Sequence, residues 1–137
     1  MEKNKYWKVF VSCVIKCGDE ILALKRKTGN YYGDYYDFPG GKMEYDESIE
    51  EAMVREVYEE SGIKIKPQDL KLKAGITWRD DFKEETRYAV CFCFLHEVDI
   101  KPHVSVAKNE HTGYVWVKKD DPRLDQFLVD ILDKTGV

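Results

Sequence analysis

Apolar and polar residues change their spacing several times along the 137-residue chain, and each change marks an element. Residues 6–17, YWKVFVSCVIKC, alternate, with apolar groups on both faces in the middle, and predict a strand. Gly18-Asp19 marks a tight turn, and residues 20–26, EILALKR, predict a second strand in a hairpin with the first. A helix is expected over residues 47–61. Its interior, Ser48 to Ser61, holds no Pro or Gly, and Asp46 or Glu47 stands where an N-cap or first-turn acid is favoured. Gly62 can take the left-handed conformation that ends a helix. Residues 63–78 predict strand, turn and strand, interrupted by Pro67, and residues 78–86, WRDDFKEET, a polar loop. From Tyr88 to Leu95 the chain is apolar on both faces, the mark of a central strand covered on both sides. A loop over 104–113 precedes a short strand, Tyr114 to Val117. Asp121-Pro122 then starts a C-terminal helix, with Leu124, Phe127, Leu128, Ile131 and Leu132 at helical spacing. A central strand covered twice requires helices on both faces. The expected fold class is therefore α/β, a three-layer α/β/α sandwich around a mixed sheet, with residues 1–137 forming one domain.

The facing of the first helix raises a chemical question. At about 100° per residue, Ile49, Ala52, Met53 and Val57 share the side that packs on a core. Glu60 falls near the centre of that same side and Glu56 within roughly 40° of it, and Glu59 lies near its edge. A helix whose glutamates only aid solubility would carry them opposite the apolar stripe. Like charges one turn apart repel, and partly buried carboxylates lose hydration. A hard divalent cation with oxygen ligands removes both costs, and Mg²⁺ commonly uses a few carboxylates together with waters and substrate phosphates. Arg55 lies on the flank, one turn from Glu51 and one from Glu59, where it orients ligands rather than reacts. Phe38-Pro39 leads into a Gly40-Gly41 turn, where missing side chains let backbone approach a metal or a phosphate closely.

The order Gly41, five residues, Glu47, seven residues, then Arg55-Glu56-Val57-Tyr58-Glu59-Glu60-Ser61-Gly62-Ile63 resembles the Nudix box, G-x5-E-x7-R-E-U-x-E-E-x-G-U, with U aliphatic. The box covers 41–63, and the flanking order of elements is similar to that family across nearly the whole chain. The resemblance implies a Nudix-like sandwich that hydrolyses a nucleoside diphosphate linked to a further group, with Mg²⁺, or Mn²⁺ in its place. It implies Glu56 and Glu60 as main metal ligands, Glu59 as an additional one, and the Gly40 carbonyl as another. Gly41, Glu47, Arg55 and Gly62 support the geometry. Glu110, six residues before Trp116, matches the family's place for a distal carboxylate that binds metal or acts as general base. The proton acceptor is Glu56, Glu59 or Glu110, and the neighbouring His111 is a lesser acid/base candidate. Arg26 matches a phosphate-contacting arginine of the MutT-like branch.

Composition narrows the partners. A formal net charge of −4 argues against a nucleic acid polymer, which needs a basic surface, but a bound metal supplies the local cation that a small nucleotide requires. The first ten residues, MEKNKYWKVF, carry no apolar leader, and the longest apolar run, Tyr88 to Leu95, is too short to span a membrane. A cytoplasmic monomer or homodimer with reduced cysteines is expected. Cys13, Cys17, Cys91 and Cys93 match zinc spacing poorly and read as small buried apolar residues. Tyr31, Tyr32, Tyr35 and Tyr36 lie in a glycine-containing loop, where two cap the core and two are free to stack on a base. Tyr36, Phe38, Trp78 and Arg79, with Arg26, form the expected substrate walls. The Pro and Tyr that mark the family's ADP-ribose and dinucleoside-polyphosphate branches beyond the box are absent, as is the upstream motif of the coenzyme A branch. The MutT-like branch is left, and with it a nucleoside triphosphate cleaved to the monophosphate. The alternatives are an ADP-ribose or other nucleotide-sugar or dinucleotide pyrophosphatase, and a nucleotide-binding domain without catalysis.

Overall fold

The computed structural model describes residues 4–27 and 35–137. The chain runs β1 (Asn4–Cys17), β2 (Glu20–Arg26), β3 (Tyr36–Asp37), β4 (Gly40–Lys42), α1 (Ile49–Ser61), β5 (Lys71–Phe82), β6 (Glu85–Val98), β7 (His111–Val117) and α2 (Gln126–Thr135). A 3₁₀ turn, Pro67–Asp69, precedes β5. The strands form one seven-stranded sheet in the order β3-β2-β1-β6-β5, with β4 on β1 and β7 on β2. The sheet is mixed: β1 and β6 run parallel from Asn4↔Glu85 to Cys17↔Val98, and the remaining pairs are antiparallel.

β1 is apolar on both faces because both faces are covered. Val11, Cys13 and Ile15 join Ala52, Met53 and Val57 of α1 in one buried cluster. Val14, Cys91 and Cys93 join Leu128, Ile131 and Leu132 of α2 in the other. The two helices thus lie on opposite faces, the α/β/α arrangement expected. Each buried Leu, Ile or Met in these layers contributes roughly 1.5–3 kcal/mol relative to exposure. The cysteines are free and divided between the two faces, so all four cannot converge on one ion.

Several boundaries differ from the expected ones. The N-cap of α1 is Ser48, not Asp46 or Glu47: its side chain accepts from Glu51 N at 3.1 Å while Glu51 Oε1 accepts from Ser48 N at 2.9 Å. Gly62 closes the helix in the left-handed conformation. Ile63 and Ile65 are buried under α1 but pair with no strand. The expected polar loop at 78–86 is mostly strand. Lys83-Glu84 is a two-residue turn between β5 and β6, and the charged residues around it pair across the ladder. Arg87 bridges to Asp80, and Thr86 Oγ1 donates to Asp81 Oδ1 at 2.8 Å. Cross-strand pairs of this kind stabilise a hairpin that polarity alone would class as loop. The C-terminal helix starts at Gln126 with Asp125 as N-cap. Asp121 does not cap it, because its carboxylate accepts instead from Arg123 N, Nε and Nη2 at 2.9, 3.0 and 2.9 Å, making Asp121–Leu124 a turn.

Candidate active site

Two glycines join the sheet to the acidic helix. β4 lies against β1 with Ser12↔Gly40 and Val11↔Gly41 in register. A Cβ on Gly40 would stand 2.3 Å from the Val11 carbonyl oxygen, and one on Gly41 2.5 Å from the Glu56 carboxyl carbon. Backbone therefore excludes a side chain at Gly40, and one at Gly41 would displace the Glu56 carboxylate. Gly40 N donates to Glu60 Oε1 at 2.7 Å, so the turn is pinned directly to α1.

The carboxylates of α1 occupy graded environments. Glu60 is buried, and the Glu56 side chain is only 12% exposed, whereas that of Glu59 is 54% exposed. Arg55 grips Glu47 through Nε at 2.6 Å and Nη2 at 3.0 Å, and reaches Glu56 at 2.9 Å and Glu59 at 3.2 Å through Nη1. Glu47 also accepts from Glu44 N at 2.8 Å and so fastens the lead-in to the helix. Hydrogen bonding from Arg55 holds the Glu47 carboxyl below its ordinary range. Burial pushes the Glu56 carboxyl up, opposed by Arg55 and reinforced by Glu59 and Glu110. Burial pushes Glu60 up to about 9, against the Gly40 N–H and with Asp37, Glu110 and Glu56 adding to the rise. The protein alone leaves this carboxylate group short of positive charge, and a divalent cation fits that deficit.

The distal loop is laced to the end of α1. Ser105 N donates to Ser61 O at 2.8 Å and Ala107 N to Glu60 O at 3.3 Å. Ala107 O then accepts from Glu110 N at 3.1 Å and His111 N at 2.9 Å, which delivers both residues to the acidic group. One ligand atom each of Glu60, Glu110 and His111 lie within 4.8 Å of one another. His111 is fully buried, with Nε2 3.0 Å from Asp37 Oδ1. Arg26 Nη1 donates to Asp37 Oδ2 at 2.7 Å.

On the α2 side of the Gly40-Gly41 turn lies a cavity of about 680 Å³, lined by Phe10, Tyr36, Phe38, Trp78 and Phe127 among others, and by Arg26. Phe10 and Trp78 stack with centroids 5.9 Å apart, and Phe127 meets Trp78 edge-on at 5.5 Å. The volume suits a ligand of nucleotide size.

Comparison with known proteins decides the family. The NUDIX domain profile matches residues 7–134. The chain belongs to the Nudix family. It is 39% identical over 111 residues to the CTP pyrophosphohydrolase of Escherichia coli (strain K12), covering 81% of this chain and 76% of that protein. It is 29% identical over 131 residues to a MutT-like protein of Streptomyces ambofaciens, covering 90% and 75%. Other curated relatives match over shorter stretches, in some of which the chain spans 32% to 46% of their length. A crystal structure of a MutT NUDIX hydrolase from Burkholderia pseudomallei superposes with a TM-score of 0.78 at 24% identity, covering 94% of this chain and 98% of that one, and shows the same fold. The chain is thus a Nudix pyrophosphohydrolase of MutT-like kind, and Nudix hydrolases are generally dependent on a divalent metal.

Among the residues expected at a Nudix site, the structure brings Gly40, Gly41, Glu47, Arg55, Glu56, Glu60 and Glu110 around one centre. Glu59 stays at its exposed margin, tied to Arg55. Tyr36, Phe38, Trp78 and Arg26 reach the cavity, and Tyr35 joins them. Arg79 does not: on a strand it takes the face opposite Trp78, where its guanidinium lies 5.9 Å from the Tyr88 ring centroid and 3.4 Å from Asp81. Tyr31 and Tyr32 lie outside the described residues. Sequence reasoning missed Asp37, Phe10 and Phe127 as site residues. Asp37 stands next to the Phe-Pro-Gly-Gly turn but carries no spacing signal linking it to His111. No helix among the described residues is long and apolar enough to cross a membrane.

Proposed function

We propose that this Nudix hydrolase cleaves a nucleoside triphosphate to the monophosphate and pyrophosphate, using Mg²⁺. The observation that carries the reading is the junction at Gly40-Gly41. On one side stand Glu56 and Glu60 with rising need for a cation, and on the other an aromatic cavity that fits a nucleoside. The similarity to a CTP pyrophosphohydrolase over most of both chains supports a triphosphate.

Glu56, Glu60 and Glu110 would hold the cation, with Glu59 and the Gly40 carbonyl completing the set. When bound, such an ion neutralises phosphoryl oxygens and acidifies water. The chain's own residues do the remainder. Arg55 keeps Glu47, Glu56 and Glu59 in register. Phe10, Trp78 and Phe127 would hold the base away from water, and Arg26, which lines the same cavity, would meet the phosphates. One of Glu56, Glu59 or Glu110 accepts the proton of the attacking water.

The test is a panel of ribo- and deoxyribonucleoside triphosphates, oxidised bases included, with ADP-ribose and a dinucleoside polyphosphate beside them. Monophosphate and pyrophosphate should be released from a triphosphate in Mg²⁺ and not in chelator. Release of AMP and ribose 5-phosphate from ADP-ribose as the fastest reaction would replace this reading.

A further inference from the structure

Building on the metal-dependent reading, we infer that His111 Nδ1 is a ligand of the cation held by Glu60 and Glu110, so that the site is mixed imidazole–carboxylate rather than all-oxygen. His111 is fully buried, and its Nδ1 has no hydrogen-bond partner among the described residues. Buried polar atoms are nearly always satisfied, and those that are not call for an explanation.

The rest of the ring is already committed. Nε2 lies 3.0 Å from Asp37 Oδ1, and the other Asp37 oxygen accepts from Arg26 Nη1 at 2.7 Å. A carboxylate accepts, so Nε2 carries the hydrogen, and in the neutral ring Nδ1 presents its lone pair. Donation of the second ring N–H to a carboxylate is the arrangement that metal-binding histidines use to fix their tautomer and orientation. Here the carboxylate is itself fixed by an arginine.

The free nitrogen faces the acidic group. Nδ1 is 3.9 Å from Glu60 Oε2, while Glu60 Oε1 is occupied by the Gly40 N–H. With metal–ligand bonds of about 2.1 Å, ligand atoms stand about 3 Å apart when adjacent and about 4.2 Å when opposed, and the observed spacing lies between these. An imidazole in the set shifts preference from Mg²⁺ toward Co²⁺ and later ions, since Mg²⁺ favours oxygen and binds nitrogen weakly.

The test uses the full chain and metal alone. Calorimetric titration should show Co²⁺ binding about tenfold or more tighter than Mg²⁺. His111→Gln should lower Co²⁺ affinity by about tenfold or more and Mg²⁺ affinity far less. Pulsed EPR of the Mn²⁺-loaded protein should show nitrogen coupling from a bound imidazole. That coupling should change pattern when histidine is ¹⁵N-labelled and persist in a His96→Gln, His103→Gln double variant. Bound Mn²⁺ without nitrogen coupling overturns the His111 assignment and leaves the metal site standing. Failure to bind any of the three ions overturns both. Should His111→Gln not fold, the EPR of the wild type decides alone.

Discussion

Glu47, Arg55, Glu56 and Glu60 stand on one side of the Gly40-Gly41 turn and come from a single stretch of chain; Phe10, Tyr36, Trp78 and Phe127 stand on the other and come from four separate elements. The acidic side is held by short, local, charge-assisted bonds within and around one helix. The aromatic side is held by ring packing between β1, β5 and α2. Under the proposed function, the difference separates two tasks. Chemistry on a pyrophosphate demands fixed distances, which one helix provides through its own periodicity. Recognition of a base demands a shape, which can be assembled from any elements the sheet brings together. Loss on the first side should therefore appear in kcat, and loss on the second in KM.

The largest effect is expected from Glu60→Gln, which keeps the shape and removes the charge. Turnover should fall by about 10²-fold or more with weakened Mg²⁺ dependence, since transition-state charge would lose its compensating ion. Near-normal activity would erase the assignment of the acidic side as the reacting one. Next comes Trp78→Leu. Base–aromatic stacking is worth roughly 1–3 kcal/mol, so KM should rise by roughly 5- to 150-fold with kcat little changed. A fall in kcat with KM constant would show that the two sides are not separable.

How far each side could be read from the sequence follows from the same contrast. Glu56, Glu60 and their inward facing were legible because a helix repeats at fixed angles and Gly62 marks its end. β1, β2 and the doubly covered β6 were legible from alternation and from apolar runs. Phe10 and Phe127 were not legible as neighbours of Trp78, since only the sheet order, with α2 packed on its face, brings the three rings together. Arg79 departs from expectation for a related reason: within a loop it would be free to reach the cavity, but within β5 alternation turns it away. The Asp37–His111 contact spans 74 residues of sequence, and no local pattern encodes it. By contrast, Ser48 could have been found. Ser48 followed by Glu51 is a capping-box pair, but the acids at Asp46 and Glu47 offered a competing start.

A third way to sharpen the comparison uses pH. Glu60 has its folded-state pKa raised to about 9, from an ordinary 4.5. The folded protein then binds more protons than the unfolded one between those values, so this group's contribution to stability is full below the unfolded value and is lost as pH rises through the folded one. The metal-free protein should lose melting temperature from pH 5 to 9. Glu60→Gln should flatten that slope and gain about 1–3 kcal/mol at the alkaline end. Excess Mg²⁺ should flatten it in the wild type alone. A slope unchanged by the substitution would mean that the acidic side carries no unbalanced charge.

The smallest effect concerns what makes the acidic side local at all. Ser48 and Glu51 satisfy each other's backbone N–H groups at the start of α1, away from the carboxylates that face the turn. Ser48→Ala removes one acceptor and should cost about 1 kcal/mol of stability, read as a lower denaturant midpoint with unchanged slope. Glu47 and Arg55 still brace the lead-in across the first two turns, so kcat and KM should both stay near wild type. If kcat falls instead, the reacting geometry depends on the helix end as well as on the arginine clamp, and the acidic side is as distributed as the aromatic one.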